Sequence, residues 1–427
     1  MKSKENKIIT ALLLALFITV FAPFSHIVQA TENKENKLPS IVGKYAVTMD
    51  YETGEIIYAK NADDRAYPAS TTKLLTALIF AENANKTDVI PYTQNAKQQP
   101  EYSLNKNFKP ININDTMSAD NVMKALLLYS ANDAAYMIAD SVSGNSKNFA
   151  TIMNDKIASL GLKNTHFVTP NGLHKDNHYT TAYDMAVITR SAFENSWVRD
   201  VMGLKKATID ISNGTKIMLE NRNKYIGKDG NIGGKTGYTS KANRCLTAVY
   251  ERDGRKIVGT VLNSEYDAKD ETVFKDMNKI MDYSFNAKKS TLLKANEIVE
   301  TIPVEYKAFK FFGPKKTIDV PMVLTKDVTY YKNPINDSNI SYEVSINDKD
   351  AWHIASNSDA AKLIVTERNS STQYNLTPDI GLFSIIKANI LLYIGSFIIF
   401  IAIIILILFV IRGINIRKRR RNRRRIF

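Results

Sequence analysis

Cysteine is nearly absent from this chain: Cys245 stands alone among 427 residues. An internal disulfide framework is therefore excluded, and so are zinc and iron–sulfur sites built on several thiolates. Cys245 opens the apolar run Cys245-Leu246-Thr247-Ala248-Val249, which reads as a buried structural thiol. Histidine is also scarce. His26, His166, His174, His178 and His353 show no metal-ligand spacing. His174 and His178 are four apart, but Asn171-Gly172 ahead of them and Asp176-Asn177 between them read as a loop, and no third ligand follows. No metal and no other cofactor is expected.

Acidic residues are outnumbered, 43 against 57 Lys and Arg, for a net charge of +14. That excess is local. Residues 412–427 hold nine basic side chains and no acid, and the first seven residues add further positive charge. The remainder is only mildly basic, so no nucleic-acid partner is expected.

Both charged ends adjoin apolar runs. Lys2, Lys4 and Lys7 precede the apolar stretch 8–22, and Val28-Gln29-Ala30 supplies a small-residue site. This predicts a secretion signal over 1–30 with cleavage after Ala30, then a polar leader over 31–39. An exported chain without disulfides fits a bacterial cell surface. Residues 388–411 form a nearly unbroken apolar run, long enough to span a bilayer. The basic tail 412–427 follows at once, which places it in the cytoplasm and the rest outside. The expected membrane partner is the plasma membrane, with the tail against anionic headgroups.

Between these ends, residues 45–50 and 55–59 read as strands joined by Tyr51-Glu52-Thr53-Gly54. A second hairpin is expected over 244–251 and 256–263 across Arg252-Asp253-Gly254-Arg255. Helical patterns dominate from 70 to 196. Strands at both ends with helices between them imply an α/β sandwich over 40–292, with a helical subdomain inserted. Alternating stretches over 298–368 argue a small β-rich domain.

Three short motifs carry the chemistry. Ser70-Thr71-Thr72-Lys73 follows Tyr67-Pro68-Ala69 and leads into an apolar run, so a turn feeds a helix with Ser70 at its N-terminus. Lys73 then shares a face with Ser70, and a buried lysine loses its proton readily enough to act as a base. Ser130-Ala131-Asn132 occupies a short connection between two helical runs. Lys235-Thr236-Gly237 follows Gly233-Gly234 at the start of a strand. Taken singly, each has a plain reading: a serine N-cap, a polar turn, a glycine-rich strand entry. Together and in this order they supply a nucleophile, a base, a proton relay and an anion clamp without histidine.

The trio is the signature of penicillin-binding proteins and class A β-lactamases. Leu126-Leu127-Leu128-Tyr129 before Ser130, Pro170-Asn171-Gly172-Leu173-His174, and Thr181-Ala182-Tyr183-Asp184 extend the likeness. Over roughly residues 38–290 the chain resembles the low-molecular-weight penicillin-binding proteins, the D-alanyl-D-alanine carboxypeptidases of peptidase family S11. The resemblance implies a mostly antiparallel five-stranded sheet flanked by helices. It implies a peptidoglycan stem peptide ending in D-Ala-D-Ala as substrate and β-lactams as covalent inhibitors. It assigns Ser70 as nucleophile, Lys73 as base and Ser130 as proton relay. The N–H groups of Ser70 and Tyr238 would form the oxyanion hole. Asn132 would hold the peptide amide. Lys235, Thr236 and Thr239, with Gly237 between them, would face the terminal carboxylate, joined by Arg222.

Three rivals differ in chemistry. A class A β-lactamase needs a deacylating glutamate after the middle motif, and Glu101-Tyr102-Ser103-Leu104-Asn105 matches its letters but precedes Ser130. A transpeptidase shares the acyl-enzyme and differs only in the acceptor. An inactive scaffold would not be expected to keep every motif residue.

Overall fold

The structure is a computed structural model that describes residues 38–347, 350–357, 360–368 and 370–423. The predicted signal over 1–30 and most of the leader lie outside the described residues.

The main sheet is built from chain segments far apart in sequence. Strands β1 (Tyr45–Asp50) and β2 (Ile56–Lys60) come first, then β3 (Asn231–Thr239), β4 (Asn243–Arg252) and β5 (Arg255–Ser264). Their order is β2-β1-β5-β4-β3, and every neighbour pair is antiparallel. Both hairpins predicted from sequence are present, with ends within about two residues of expectation.

Side chains alternate across this sheet because the strand period is two. On β1, Val47 and Met49 enter one core while Ala46 enters the other. On β4, Cys245 and Val249 face the first core, and Leu246, Ala248 and Tyr250 the second. Both faces are covered, so these strands read as apolar runs. Helices α1 (Lys73–Asn83), α2 (Asn132–Ser143) and α3 (Ala182–Glu194) belong to the first core. Helix α4 (Thr272–Asn286) packs the second, through Phe274, Met277 and Met281. The result is the expected α/β sandwich with its helical insertion. Strand β3 is the edge, so among the described residues one side of its backbone has no sheet neighbour.

A second five-stranded sheet follows. It comprises β6 (Ile298–Lys307), β7 (Lys315–Leu324), β8 (Ile340–Ile346), β9 (Ala361–Glu367) and β10 (Ser370–Pro378), in the order β6-β7-β10-β9-β8. It has its own core of Val304, Val320, Met322, Trp352 and Leu363. The β structure therefore runs to Pro378, past the expected limit of 368, because β10 closes the sheet between β7 and β9.

Polar links tie this lobe to the first. Glu55 Oε1 accepts from the Tyr331 N–H at 2.6 Å, and its other oxygen pairs with Lys289. Asn333 and Asn336 both donate to the Ile56 carbonyl, and Arg368 pairs with Asp63 through both guanidinium ends.

A short helix α5 (Leu382–Ala388) precedes α6 (Ile390–Arg423). Within α6, Ile390–Arg421 has a mean hydropathy of 3.4 in its most apolar window, none of which is buried against protein. By length and composition it is fit to cross a membrane.

Candidate active site

The nucleophile turn departs from an ordinary helix start. Ala69–Thr72 forms a single 3-10 turn, and the α-helix begins only at Lys73. Ser70 thus sits one turn ahead of the predicted helical position. Ala69 takes a left-handed φ of 47° to enter the turn. The Thr71 N–H and hydroxyl both donate to the Pro68 carbonyl, at 3.3 and 2.7 Å, which closes it.

Lys73 is fully buried beneath this turn. Its Nζ lies 3.0 Å from Ser70 Oγ, 2.9 Å from Asn132 Oδ1 and 2.8 Å from the Asn171 carbonyl. Burial pushes its pKa down to about 7, and the Arg222 guanidinium adds to the fall while Asp133 opposes it. An amine poised near neutrality, within reach of a hydroxyl proton, is matched to general-base work.

The middle motif is displayed by an unusual backbone. Residues Ala125–Tyr129 form a π-helical turn, which ends at Ser130 with φ 73° and ψ 34°. A left-handed serine is strained, and such strain collects at functional sites. Helix α2 restarts at Asn132, so the connection is only Ser130 and Ala131. Asn132 Nδ2 donates to the Glu101 carbonyl at 2.8 Å, which turns its Oδ1 toward Lys73. Below it, buried Asp133 accepts from Tyr92 Oη at 2.9 Å and from the Asn105 N–H at 3.2 Å. The segment around Glu101 therefore borders the site through its backbone, and the Glu101 side chain is exposed.

Glycine lets the third motif come close. A Cβ on Gly237 would lie 3.0 Å from Ser70 N and 3.1 Å from Ala69 Cβ. Strand β3 can thus lie against the nucleophile turn. Lys235 is also buried, with Nζ on the Thr236 carbonyl at 3.0 Å. Burial, then the positive charges of Lys73, Arg222 and Arg244, hold its pKa well below the usual lysine range. A carboxylate brought alongside would reverse that direction by favouring the charged form.

One cavity of about 90 Å³ is lined by Ser70, Ser130, Asn132, Arg222, Thr236, Gly237 and Tyr238. Lys73 and Lys235 lie behind its wall. Ser130 Oγ and Thr236 Oγ1 are buried with no partner among the described residues, so both hydroxyls are left for an incoming group. Arg222 is held by its Nε on the Tyr129 carbonyl at 2.7 Å, between the rings of Tyr102 and Tyr129. Thr239, expected beside the carboxylate, is not on this wall. It ends the strand, where its Oγ1 accepts the Ala242 N–H at 3.1 Å.

Sequence reasoning missed Tyr102, Tyr266, Arg244 and Asp270, which line the same cavity. Arg244 lies opposite Tyr238 on the neighbouring strand and pairs with Asp270 at 2.5 Å. Its Nε and Asp270 Oδ1 are buried without other partners. Tyr238 and Tyr266 rings meet at 4.7 Å beside it. A one-to-one strand pairing is the signal that would have raised Arg244, had the register been known.

The loop Pro170-Asn171-Gly172-Leu173 supports the nucleophile from below. Its carbonyls take Thr76 Oγ1 and Lys73 Nζ. Gly172 has φ 81°, and a Cβ there would fall 1.9 Å from the Ala69 carbonyl oxygen. Gly172→Ala is expected to cost about 2–4 kcal/mol of stability and to slow acylation, because relief requires moving the Ser70 turn. Thermal melting and penicillin-labelling rates check both effects. An unchanged melting temperature would show that the loop yields freely.

His174 and His178 lie in a loop, and His178 braces the nucleophile turn. Its Nδ1 accepts the Val168 N–H at 2.9 Å, so Nε2 carries the proton and donates to Thr72 Oγ1 at 3.1 Å. Burial lowers its pKa to about 3, which keeps it neutral as a brace for the turn. Among the described residues, no group of three His, Cys, Asp or Glu side chains is placed to hold a metal. Cys245 is buried, and burial raises its thiol to about 11.

Comparison with known proteins places this geometry. Residues 30–266 match the peptidase S11 family, D-alanyl-D-alanine carboxypeptidase. The D-alanyl-D-alanine carboxypeptidase DacF of Bacillus subtilis (strain 168) is 28% identical over 327 residues, spanning 75% of this chain and 82% of that protein. The D-alanyl-D-alanine carboxypeptidase of Streptomyces sp. (strain K15) is 32% identical over 257 residues, 57% of this chain and 87% of that protein. Among solved structures, the Streptomyces K15 DD-transpeptidase is 30% identical with a TM-score of 0.53, covering 58% of this chain and 98% of that one. The D-alanyl-D-alanine carboxypeptidase from Mycobacterium tuberculosis H37Rv is 26% identical with a TM-score of 0.54, covering 59% and 94%. With its motifs converging on one cavity and the match running through more than half its length, the chain belongs to the peptidase S11 family of D-alanyl-D-alanine carboxypeptidases.

Proposed function

We propose that the chain removes the terminal D-Ala from peptidoglycan stem peptides through an acyl-Ser70 intermediate, and that penicillins acylate the same serine. The observation that carries this is the buried Lys73 amine, 3.0 Å from Ser70 Oγ, with its pKa lowered to about 7. The neutral amine takes the Ser70 proton as Oγ attacks the penultimate D-Ala carbonyl. The developing oxyanion is met by the Ser70 and Tyr238 N–H groups, which cost no reorganisation at that moment. Ser130 passes a proton to the departing D-Ala amine. Asn132 steadies the peptide. An extended peptide can lie along the free side of edge strand β3 and use its backbone groups. Water then hydrolyses the ester.

The substrate carboxylate lies between Lys235, Thr236 and two guanidinium groups, Arg222 and Arg244. Arg244→Gln is expected to raise the KM for a D-Ala-D-Ala peptide roughly tenfold or more, the usual cost of losing a charge-assisted hydrogen bond. It should lower kcat far less. Steady-state kinetics separate the two, and an unchanged KM would assign Arg244 to holding Asp270 alone.

A transpeptidase reading is favoured by one observation, the likeness to a solved DD-transpeptidase. Both chemistries share the acyl-enzyme. A D-Ala-D-Ala pentapeptide offered with an amine acceptor and followed by mass spectrometry decides between them. Loss of one D-Ala with no joined product supports hydrolysis, and a joined product overturns it in favour of transfer.

The helix Ile390–Arg421 anchors the protein in the membrane. The basic residues from Arg412 onward support a cytoplasmic tail, with the active site outside where its substrate lies.

A further inference from the structure

The hairpin between β6 and β7 ends beside the start of the spanning helix. Its tip, 307–316, holds four lysines, three phenylalanines and no acid. Phe311 and Phe312 are 77% and 67% exposed. An adjacent pair of bare aromatics on a hairpin tip is costly in water unless something covers it.

The tip is fixed in place. Tyr393, in the first turn of α6, donates its hydroxyl to the Ala308 carbonyl at 2.5 Å. Asn389 donates to Tyr306 Oη at 2.9 Å, and Trp352 Nε1 to the Lys307 carbonyl at 2.8 Å. The Phe309 ring sits 5.2 Å from that of Tyr393 and stacks on Phe312 at 5.1 Å. The aromatic cluster therefore lies at the level where the apolar helix begins, the depth at which membrane proteins carry aromatic belts. Helix α5 repeats the pattern. Ile385 is buried in the core of the second sheet, while Leu382, Phe383 and Ile386 face out and Lys387 follows.

We propose that the β6–β7 tip and the outward face of α5 seat in the headgroup and upper acyl region of the bilayer that α6 crosses, with anionic phospholipid as the partner. This rests on the membrane-spanning reading of α6. Continuity with that helix selects lipid over a protein partner, and the lysines supply the charge that anionic headgroups attract. Phe311 and Phe312 insert, and Lys310 and Lys316 extend along the interface with their amines in the headgroups, while Lys307 Nζ donates to the Phe311 carbonyl at 3.3 Å. Lys315 is partly engaged by Glu305 at 3.6 Å.

The test uses the full chain in nanodiscs of mixed phosphatidylcholine and phosphatidylglycerol. A polarity-sensitive fluorophore is placed in turn at Phe312→Cys, Ile404→Cys and Lys163→Cys. The native Cys245 is buried and resists labelling. Lipid-borne quenchers at headgroup, upper-chain and deep positions report depth. The expected result is quenching of the label at 312 by the headgroup and upper-chain quenchers, of the label at 404 by the deep one, and of the label at 163 by none. Removing phosphatidylglycerol should weaken quenching at 312. If 404 is quenched and 312 behaves like 163, the tip stands clear of lipid and the proposal fails while the anchor survives. If 404 also escapes quenching, the spanning reading falls, and this proposal with it. Quenching at 312 that ignores lipid charge would overturn the anionic partner.

Discussion

Ser70→Ala is expected to reduce both D-Ala release and penicillin labelling to background, a loss of roughly four to six orders of magnitude for a nucleophile that acts as part of a unit. The change should leave the fold almost untouched. Ser70 Oγ makes one described side-chain hydrogen bond, to Lys73, and Lys73 keeps its bonds to Asn132 and Asn171. The turn is closed through Thr71 and Pro68, not through the Ser70 side chain. A melting temperature close to wild type, together with no mass increase after incubation with penicillin, is the outcome that assigns the nucleophile. Covalent labelling that persists would place it elsewhere, and a large fall in melting temperature would make the loss of activity uninterpretable as chemistry.

Lys73→Arg is expected to be as inactive as Lys73→Met, although it keeps the positive charge. What Ser70 needs is a neutral amine, and guanidinium holds its proton at every accessible pH. It is also too large for a slot that is wholly closed to solvent. The wild-type pH profile tests the same point without a mutation. With the Lys73 pKa near 7, the amine is protonated below that value and cannot accept the serine proton. Acylation should therefore fall about tenfold per pH unit below 7 and level off above it. A profile flat from pH 5 to 8 would remove Lys73 from the role of base. An active Lys73→Arg variant would do the same by a separate route.

The parts of the fold that were legible were those set by local chemistry. Strand β1 was readable because Tyr45–Asp50 is a short, largely apolar run buried on both faces, and the turn residues after it admit little else. The hairpin of β4 and β5 was marked by Asp253-Gly254, both at positive φ. The site was legible as three motifs, and the cavity brings Ser70, Ser130, Asn132 and Thr236 together from three separate stretches of chain. What stayed hidden depends on pairings between distant residues. Nothing near Arg244 announces Tyr238 as its cross-strand partner, and nothing near Tyr102 announces Arg222. The left-handed Ser130 was equally hidden, since serine carries no propensity for that conformation and only the packed π-helical turn enforces it. The resemblance put Thr239 beside the carboxylate, and it stands off the cavity wall at the strand end, where its Oγ1 accepts the Ala242 N–H and its own proton stays available to donate.

In the membrane-anchored arrangement proposed above, the polar links between the two lobes would set how far from the membrane the active site stands. Glu55, Asp63, Asn333, Asn336 and Arg368 join the catalytic sheet to the second sheet, and only three residues separate β10 from α5. Such a joint acts as a strut of set height, where a long linker would have acted as a leash. Under the proposed anchoring, the active site would sweep a thin layer parallel to the membrane and would trim stem peptides as they pass through it. Wall material pushed outward by later growth would then escape cleavage through distance alone, with no change in its chemistry.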